Sequence, residues 1–125
     1  MQDLNLWFGW IWITVGLISG TIVGIYFHDP NWLGGYASWR RRMVRLGHIS
    51  FLGTGLLNLG FAATVAIQSV VSPRPLTAWL FLVGALAMPL VCFLSSWREQ
   101  YRYLFFIPVS SLIGGSASLI LQRWL

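Results

Sequence analysis

"SWRRRMVRLGHISFLGTGLLNLGF", Ser38 to Phe61, sets Arg40, Arg41, Arg42 and Arg45 within six residues and then turns into an apolar run that opens on His48. Arginines massed against a long apolar segment mark a helix entering a membrane, because positive charge collects on the cytoplasmic side of the spans it flanks. The rest of the chain has the same character. Of its 125 residues 57% are hydrophobic and 9% charged, with a mean hydropathy of +0.71. A soluble domain carries roughly a quarter charged residues, so a water-facing surface cannot be covered, and lipid is the expected solvent.

Four stretches approach the roughly 20 apolar residues that cross a hydrocarbon core: about 6–27, 46–71, 76–94 and 103–121. The expected fold is an all-α integral membrane protein, a single four-helix transmembrane bundle. "MQDLNLW" has no positive leader and precedes an apolar run longer than a signal peptide needs, so the first span reads as a retained helix. "SPRP", Ser72 to Pro75, breaks the second span from the third, since proline cannot continue a helix ladder.

Arginine placement predicts the direction of threading. Arg40, Arg41, Arg42 and Arg45 follow the first span and Arg98 and Arg102 the third, whereas the opposite side holds only Arg74 and Arg123, with Asp3. Both termini are therefore expected outside, with the arginine-rich loops in the cytoplasm, in the cell (inner) membrane. Trp32, Trp39 and Trp97 fall at the inner interface and Trp7, Trp10, Trp79 and Trp124 at the outer, where indole rings accumulate; Trp12 fits neither.

All eight basic residues are arginine, set against three acids for a formal net charge of +5. Their confinement to gaps between apolar runs points to anionic lipid headgroups and excludes a nucleic-acid face. The six arginines of the inner loops are accordingly candidates for binding lipid or a partner surface, although fixing topology accounts for them as well.

Small residues predict how the helices pack. Gly16, Gly20 and Gly24 in the first span, and Ser110, Gly114 and Ser118 in the fourth, form ridges that let another backbone approach. Packing within the bundle uses such ridges first, and self-association or other subunits would use the remainder. Pro89 predicts a kink in the third span near Ala85. "SWRRRMVRLGHI" and "SWREQYRYLFFI" (Ser96 to Ile107) align without gaps at five residues, as a duplicated hairpin would, although the Trp and Arg that any inner interface recruits account for the match more simply.

No Asp, Glu, Lys or Arg lies inside a span, whereas charged groups at that depth mark ion and proton pathways. The absence argues against a proton-coupled exporter of the small multidrug resistance kind. The threonine- and phenylalanine-rich third helix expected of a small fluoride channel is also missing. No carboxylate pair or phosphate-cradling loop supports catalysis, so the reading leans away from an enzyme.

Three sets of side chains remain as candidate sites. Gly47, Ser50, Thr54 and Asn58 form a polar stripe on the second span, either a channel lining or interhelical glue. His48, on a face with Gly55, Ala62 and Ala66, pairs with His28 at the end of the first span as two candidate ligands for haem b. His48, Met88 and Cys92 offer the softer set that Cu(I) would take; against it, Met fills gaps and a lone Cys behaves as a small hydrophobe. An accessory or structural subunit of a larger membrane complex, respiratory or otherwise redox, is the leading expectation. A haem- or copper-binding redox protein and a homodimeric channel for a small solute or anion are the alternatives.

Overall fold

The computed structural model describes residues 2–68 and 75–124, and every described helix is long and apolar enough to cross a membrane or is a short connector. Helix α1 runs Gln2–Phe27, α2 Trp39–Ile67, α3 Pro75–Trp97 and α4 Phe106–Trp124. A short 3-10 turn, Trp32–Gly34, joins α1 to α2, and a 3-10 segment, Glu99–Phe105, leads from α3 into α4. The expected end of the second span at Val71, the Ser72–Pro75 break up to Pro75 itself, and Arg74 lie outside the described residues.

The largest departure from the sequence reading is where α2 starts. Ser38, extended at φ −68° and ψ 147°, accepts the Arg41 backbone N–H on its hydroxyl at 3.1 Å. A serine cap supplies one of the acceptors that the first turn of a helix lacks. Arg40, Arg41, Arg42 and Arg45 therefore lie on the first turns of α2 and not in a loop. The helix begins seven residues before the expected 46, and the apolar period simply continues into the charged stretch.

At the other end of α3 the second "SWR" is built differently. Ser96 and Trp97 still belong to α3, and Arg98 is the extended residue that ends it. The serine that starts one helix thus corresponds to a serine that finishes another. The matched letters do not mark a repeated hairpin.

Each helix packs on its neighbours in the chain: α1 on α2, α2 on α3, α3 on α4. Helix α1 also touches α3, whereas among the described residues α1 and α4 share no packing seam. The bundle is open, with α2 and α3 at its centre and α1 and α4 along its margins. Asn5 and Gln122 both reach the first turn of α3, so the two ends of the chain emerge at the same end of the helices.

Helix α1 and α2 approach closely. A Cβ on Gly9 would come within 2.8 Å of the Gly55 carbonyl oxygen, and one on Gly16 within 2.8 Å of Leu52. Gly9 with Leu59, Ile13 with Gly55, Gly16 with Leu52, Gly20 with His48 and Phe27 with Arg41 form one antiparallel seam. On α2 these contacts recur at alternating steps of four and three, the spacing of a coiled-coil stripe. Two members of the predicted α1 ridge are thereby taken up inside the chain. Gly24, the third, faces open space.

On α3, Gly84 receives the Leu112 side chain of α4. Ser118 meets the Thr77 hydroxyl at 2.5 Å, and Ser111 donates to the Leu80 carbonyl at 2.7 Å. Gly114 lies beside Leu80, but Ser110 is exposed and turns back to the Phe106 carbonyl of its own helix. The predicted α4 ridge is thus divided between the α3 seam and the outer surface.

Pro89 has no N–H for the carbonyl four residues before it, that of Ala85. The Trp12 indole N–H of α1 donates to that same carbonyl at 2.9 Å. This explains why Trp12 fitted neither interface: it is the donor that replaces a missing rung of α3, seated between Phe8 and Phe51. Replacing Trp12 by Phe leaves the carbonyl unpaired and lowers the unfolding free energy by roughly 1 to 3 kcal/mol. Because Ala at position 89 restores the helix donor, the cost of Trp12→Phe is smaller in a Pro89→Ala background. A double-mutant cycle of unfolding in mild detergent measures the difference; equal costs in both backgrounds would refute the link.

Candidate functional site

A helix leaves its last four carbonyls without internal partners, and they carry the negative end of its dipole. At the arginine-bearing end, α1 and α3 finish side by side with α2 starting between them. Their bare carbonyls face the few donors that residues 38–41 can supply.

Arg41 answers the end of α1. Its guanidinium donates to the carbonyls of Asp29 at 2.7 Å and Trp32 at 3.4 Å, and also to that of Phe27. Its carbon lies 3.9 Å from the Tyr36 ring centre and 4.4 Å from that of Phe27, so the cation sits between two aromatic faces. Only 1% of Arg41 is exposed. Among the described residues no carboxylate pairs with it; the one ion pair joins Arg102 to Glu99. Carbonyl dipoles and ring faces are its counter-charge, and its Nε has no partner.

The chain reaches this geometry through a tight left-handed turn. Leu33, Gly34 and Gly35 have φ of 53°, 88° and 101°, a run that two glycines make affordable. The turn brings the Leu33 carbonyl to the Ser38 hydroxyl at 2.5 Å and the Tyr36 hydroxyl to the His28 carbonyl at 3.1 Å.

Trp39 and Arg40 answer the end of α3. The Trp39 indole N–H donates to the Ser95 carbonyl at 2.8 Å and Arg40 Nε to that of Ser96 at 3.2 Å, while the Arg98 backbone N–H takes that of Leu94 at 2.8 Å. Four consecutive residues therefore start α2 and close both α1 and α3.

Of the six arginines expected to meet lipid or a partner, Arg41 is withdrawn into this cap. Its fork of N–H groups fits three carbonyls. Arg40, Arg42, Arg45, Arg98 and Arg102 are exposed.

The predicted polar stripe is buried in the α2–α3 seam and closes largely on its own helix. Ser50 donates to the Gly47 carbonyl at 2.7 Å and Thr54 to that of Ser50 at 2.5 Å. Asn58 donates to Thr54 at 2.9 Å and across to the Phe81 carbonyl at 3.2 Å. Asn5 completes the group, donating to the Asn58 side chain at 2.7 Å and to the Ala78 carbonyl at 3.2 Å. Sequence reasoning missed Asn5 because it stands one residue before the apolar run; its register with Gly9 and Gly16 on α1 was the available signal.

The candidate metal ligands are not gathered. His48 faces α1, where its Cε1 edge lies on Gly20 and its Nδ1 is 2.9 Å from the Gly16 carbonyl and 3.2 Å from the Ser19 hydroxyl. Because a carbonyl only accepts, Nδ1 is the donor to Gly16, and Nε2 lies with Cε1 against Gly20. Cys92 is buried in the other seam beside Ser50, two positions and thus about 200° around α2 from His48. Met88 is half-buried on α3. The imidazole and the thiol therefore occupy different interfaces and do not form the expected copper set, and no group of three or more His, Cys, Asp or Glu able to hold a metal occurs among the described residues. His28 is exposed beyond the end of α1, eight residues and about 12 Å of rise from Gly20.

No protein-family model, curated protein or solved structure matches this chain.

The cap generates a graded prediction. Arg41→Ala takes the guanidinium from the Phe27 carbonyl, while those of Asp29 and Trp32 keep the backbone N–H groups of Trp32 and Gly35, and it costs at least about 2 kcal/mol of unfolding free energy. Arg41→Lys recovers part of it, since one ammonium cannot reproduce the fork. Arg42→Ala changes stability by less than about 0.5 kcal/mol, as an exposed substitution should. Thermal or denaturant unfolding in detergent micelles ranks the three, and equal effects at positions 41 and 42 would overturn the assignment.

Proposed function

We propose that this chain is a multi-pass membrane protein acting as a structural or accessory subunit of a larger assembly in the cell (inner) membrane, with its arginine-bearing end in the cytoplasm. The observation that carries the reading is where the polar side chains of the spans point. Ser50 and Thr54 close on carbonyls of their own helix, whereas Asn5, Trp12, Asn58, Ser111 and Gln122 donate across seams to carbonyls or side chains of a neighbouring helix, and Thr77 shares a hydrogen bond with Ser118. That is the use of polar groups that holds helices together. The margins meanwhile remain apolar: α1 exposes Leu17, Ile18, Ile22 and Ile25, and α4 has a shallow groove lined by Leu112, Ile113, Ser116, Ala117 and Ile120.

Affinity purification at native abundance in mild detergent tests the subunit role. A partner recovered in constant proportion is the expected outcome. Recovery of the chain alone from every detergent removes the reading. Sidedness is tested separately, because buried Cys92 leaves a quiet background for thiol labelling. A cysteine placed at Arg42 reacts with an impermeant reagent only from the cytoplasmic side, and one placed at Trp7 only from the outside.

The tautomer of His48 favours one second reading, haem b binding. A ligating imidazole commonly donates its other N–H to a backbone carbonyl, as Nδ1 does to Gly16. The visible spectrum of the same native sample, with haem supplied during growth, decides this; absence of a Soret band rejects it.

A further inference from the structure

Along the α1–α2 seam, every step from Gly9 with Leu59 to Phe27 with Arg41 is filled except one. Arg45 follows Arg41 by four positions and precedes His48 by three, which places it on the stripe that α2 turns to α1. The register sets it opposite Gly24, where a Cβ would meet nothing within 4 Å. The Arg45 guanidinium does not fill that step; it lies 6.0 Å from the Phe27 ring centre toward the end of α1. Among the described residues Arg45 is exposed and makes no side-chain hydrogen bond or ion pair, in contrast to its stripe neighbours Arg41 and His48.

Charge at this end is unbalanced. Arg40, Arg41, Arg42, Arg45, Arg98 and Arg102 face only two described carboxylates, Asp29, which accepts the Asn31 backbone N–H, and Glu99, which pairs with Arg102. The open step also adjoins apolar surface, for Leu46 and Ile49, next in the chain after Arg45 and His48, are exposed. A ligand that suits the place has an anionic head and apolar tails.

We propose that the open step opposite Gly24 seats the phosphate of an anionic phospholipid, with the Arg45 guanidinium as its ligand and the acyl chains running down α2 past Leu46 and Ile49. A guanidinium fork matches two phosphate oxygens, and the missing side chain at Gly24 leaves the volume in which the phosphate lies against the seam. The proposal rests on the membrane-spanning reading but not on the existence of a partner subunit, so the two fail independently.

The test uses the purified full chain in neutral detergent, with bound lipid counted by native mass spectrometry. Phosphatidylglycerol and phosphatidylcholine of identical acyl chains are compared, with excess inorganic phosphate as a third arm. The wild-type chain should retain phosphatidylglycerol in preference to phosphatidylcholine. Arg45→Gln should weaken that retention about tenfold, the loss expected of one charged hydrogen-bonded contact. Gly24→Leu fills the seat while keeping every charge and should weaken it similarly. Arg123→Gln, at the opposite end, should leave it unchanged. Inorganic phosphate should displace little of the lipid, because it has no chains to add; full displacement would make the site one for free phosphate and overturn the lipid assignment. Equal retention of the two lipids, or equal losses for Arg45→Gln and Arg123→Gln, would reduce the effect to diffuse charge and overturn the site. Should Gly24→Leu not fold, as judged by its helical circular dichroism, Arg45→Gln against Arg123→Gln still decides.

Discussion

A helix that stops at the edge of an apolar slab presents bare carbonyls where water is scarce, and the architecture of this protein follows from how those carbonyls are met. Residues 38–41 do it for three helices at once: Ser38 caps the start of α2, Trp39 and Arg40 take carbonyls at the end of α3, and Arg41 takes the last carbonyl of α1, that of Phe27, with those of Asp29 and Trp32 just beyond it. The left-handed run Leu33–Gly35 exists to bring the chain back at the angle that makes this reach possible. A buried cation without a carboxylate would ordinarily be costly. Here it lies against the negative end of a helix dipole and between aromatic faces, so its charge is answered by groups that are themselves in need of a positive partner.

The same principle recurs within the spans. Pro89 removes a donor from α3, and Trp12 of a different helix restores it. Asn58 and Asn5 tie α2 and α1 to carbonyls of α3. Each of these bonds crosses a seam between backbones, so satisfying a polar group and joining two helices are one event. Packing does the remainder: Gly9 and Gly55 let α1 and α2 come close enough for dispersion forces and weak backbone contacts to act.

The number of helices, their approximate limits and the polar face of α2 were legible in the sequence, because length and apolar period are properties of single segments. The early start of α2 was legible in part: Ser38 is a standard capping residue, and the steps of three and four through His48 extend back to Arg45 and Arg41. It was obscured because arginine is read by its charge before its register. What single segments cannot reveal is pairing. Nothing local says that Arg41 turns inward while Arg42 turns out, that Trp12 belongs to a proline 77 positions later, or that His48 and Cys92, near in depth, face different neighbours. Those facts depend on which helices meet, and they separate the arginine cluster into one buried cation and five exposed ones.

The open arrangement of the helices has a bearing on how the chain is made. Asn5, Trp12, Arg41, Asn58, the Ala85 carbonyl and the Ser95 carbonyl all precede α4, which begins at Phe106. In order of synthesis, the donors and acceptors that join α1, α2 and α3 are therefore complete before the last helix leaves the ribosome. Helix α4 then arrives at a finished three-helix unit and attaches along a single face of α3, through Ser111, Ser118 and Gln122.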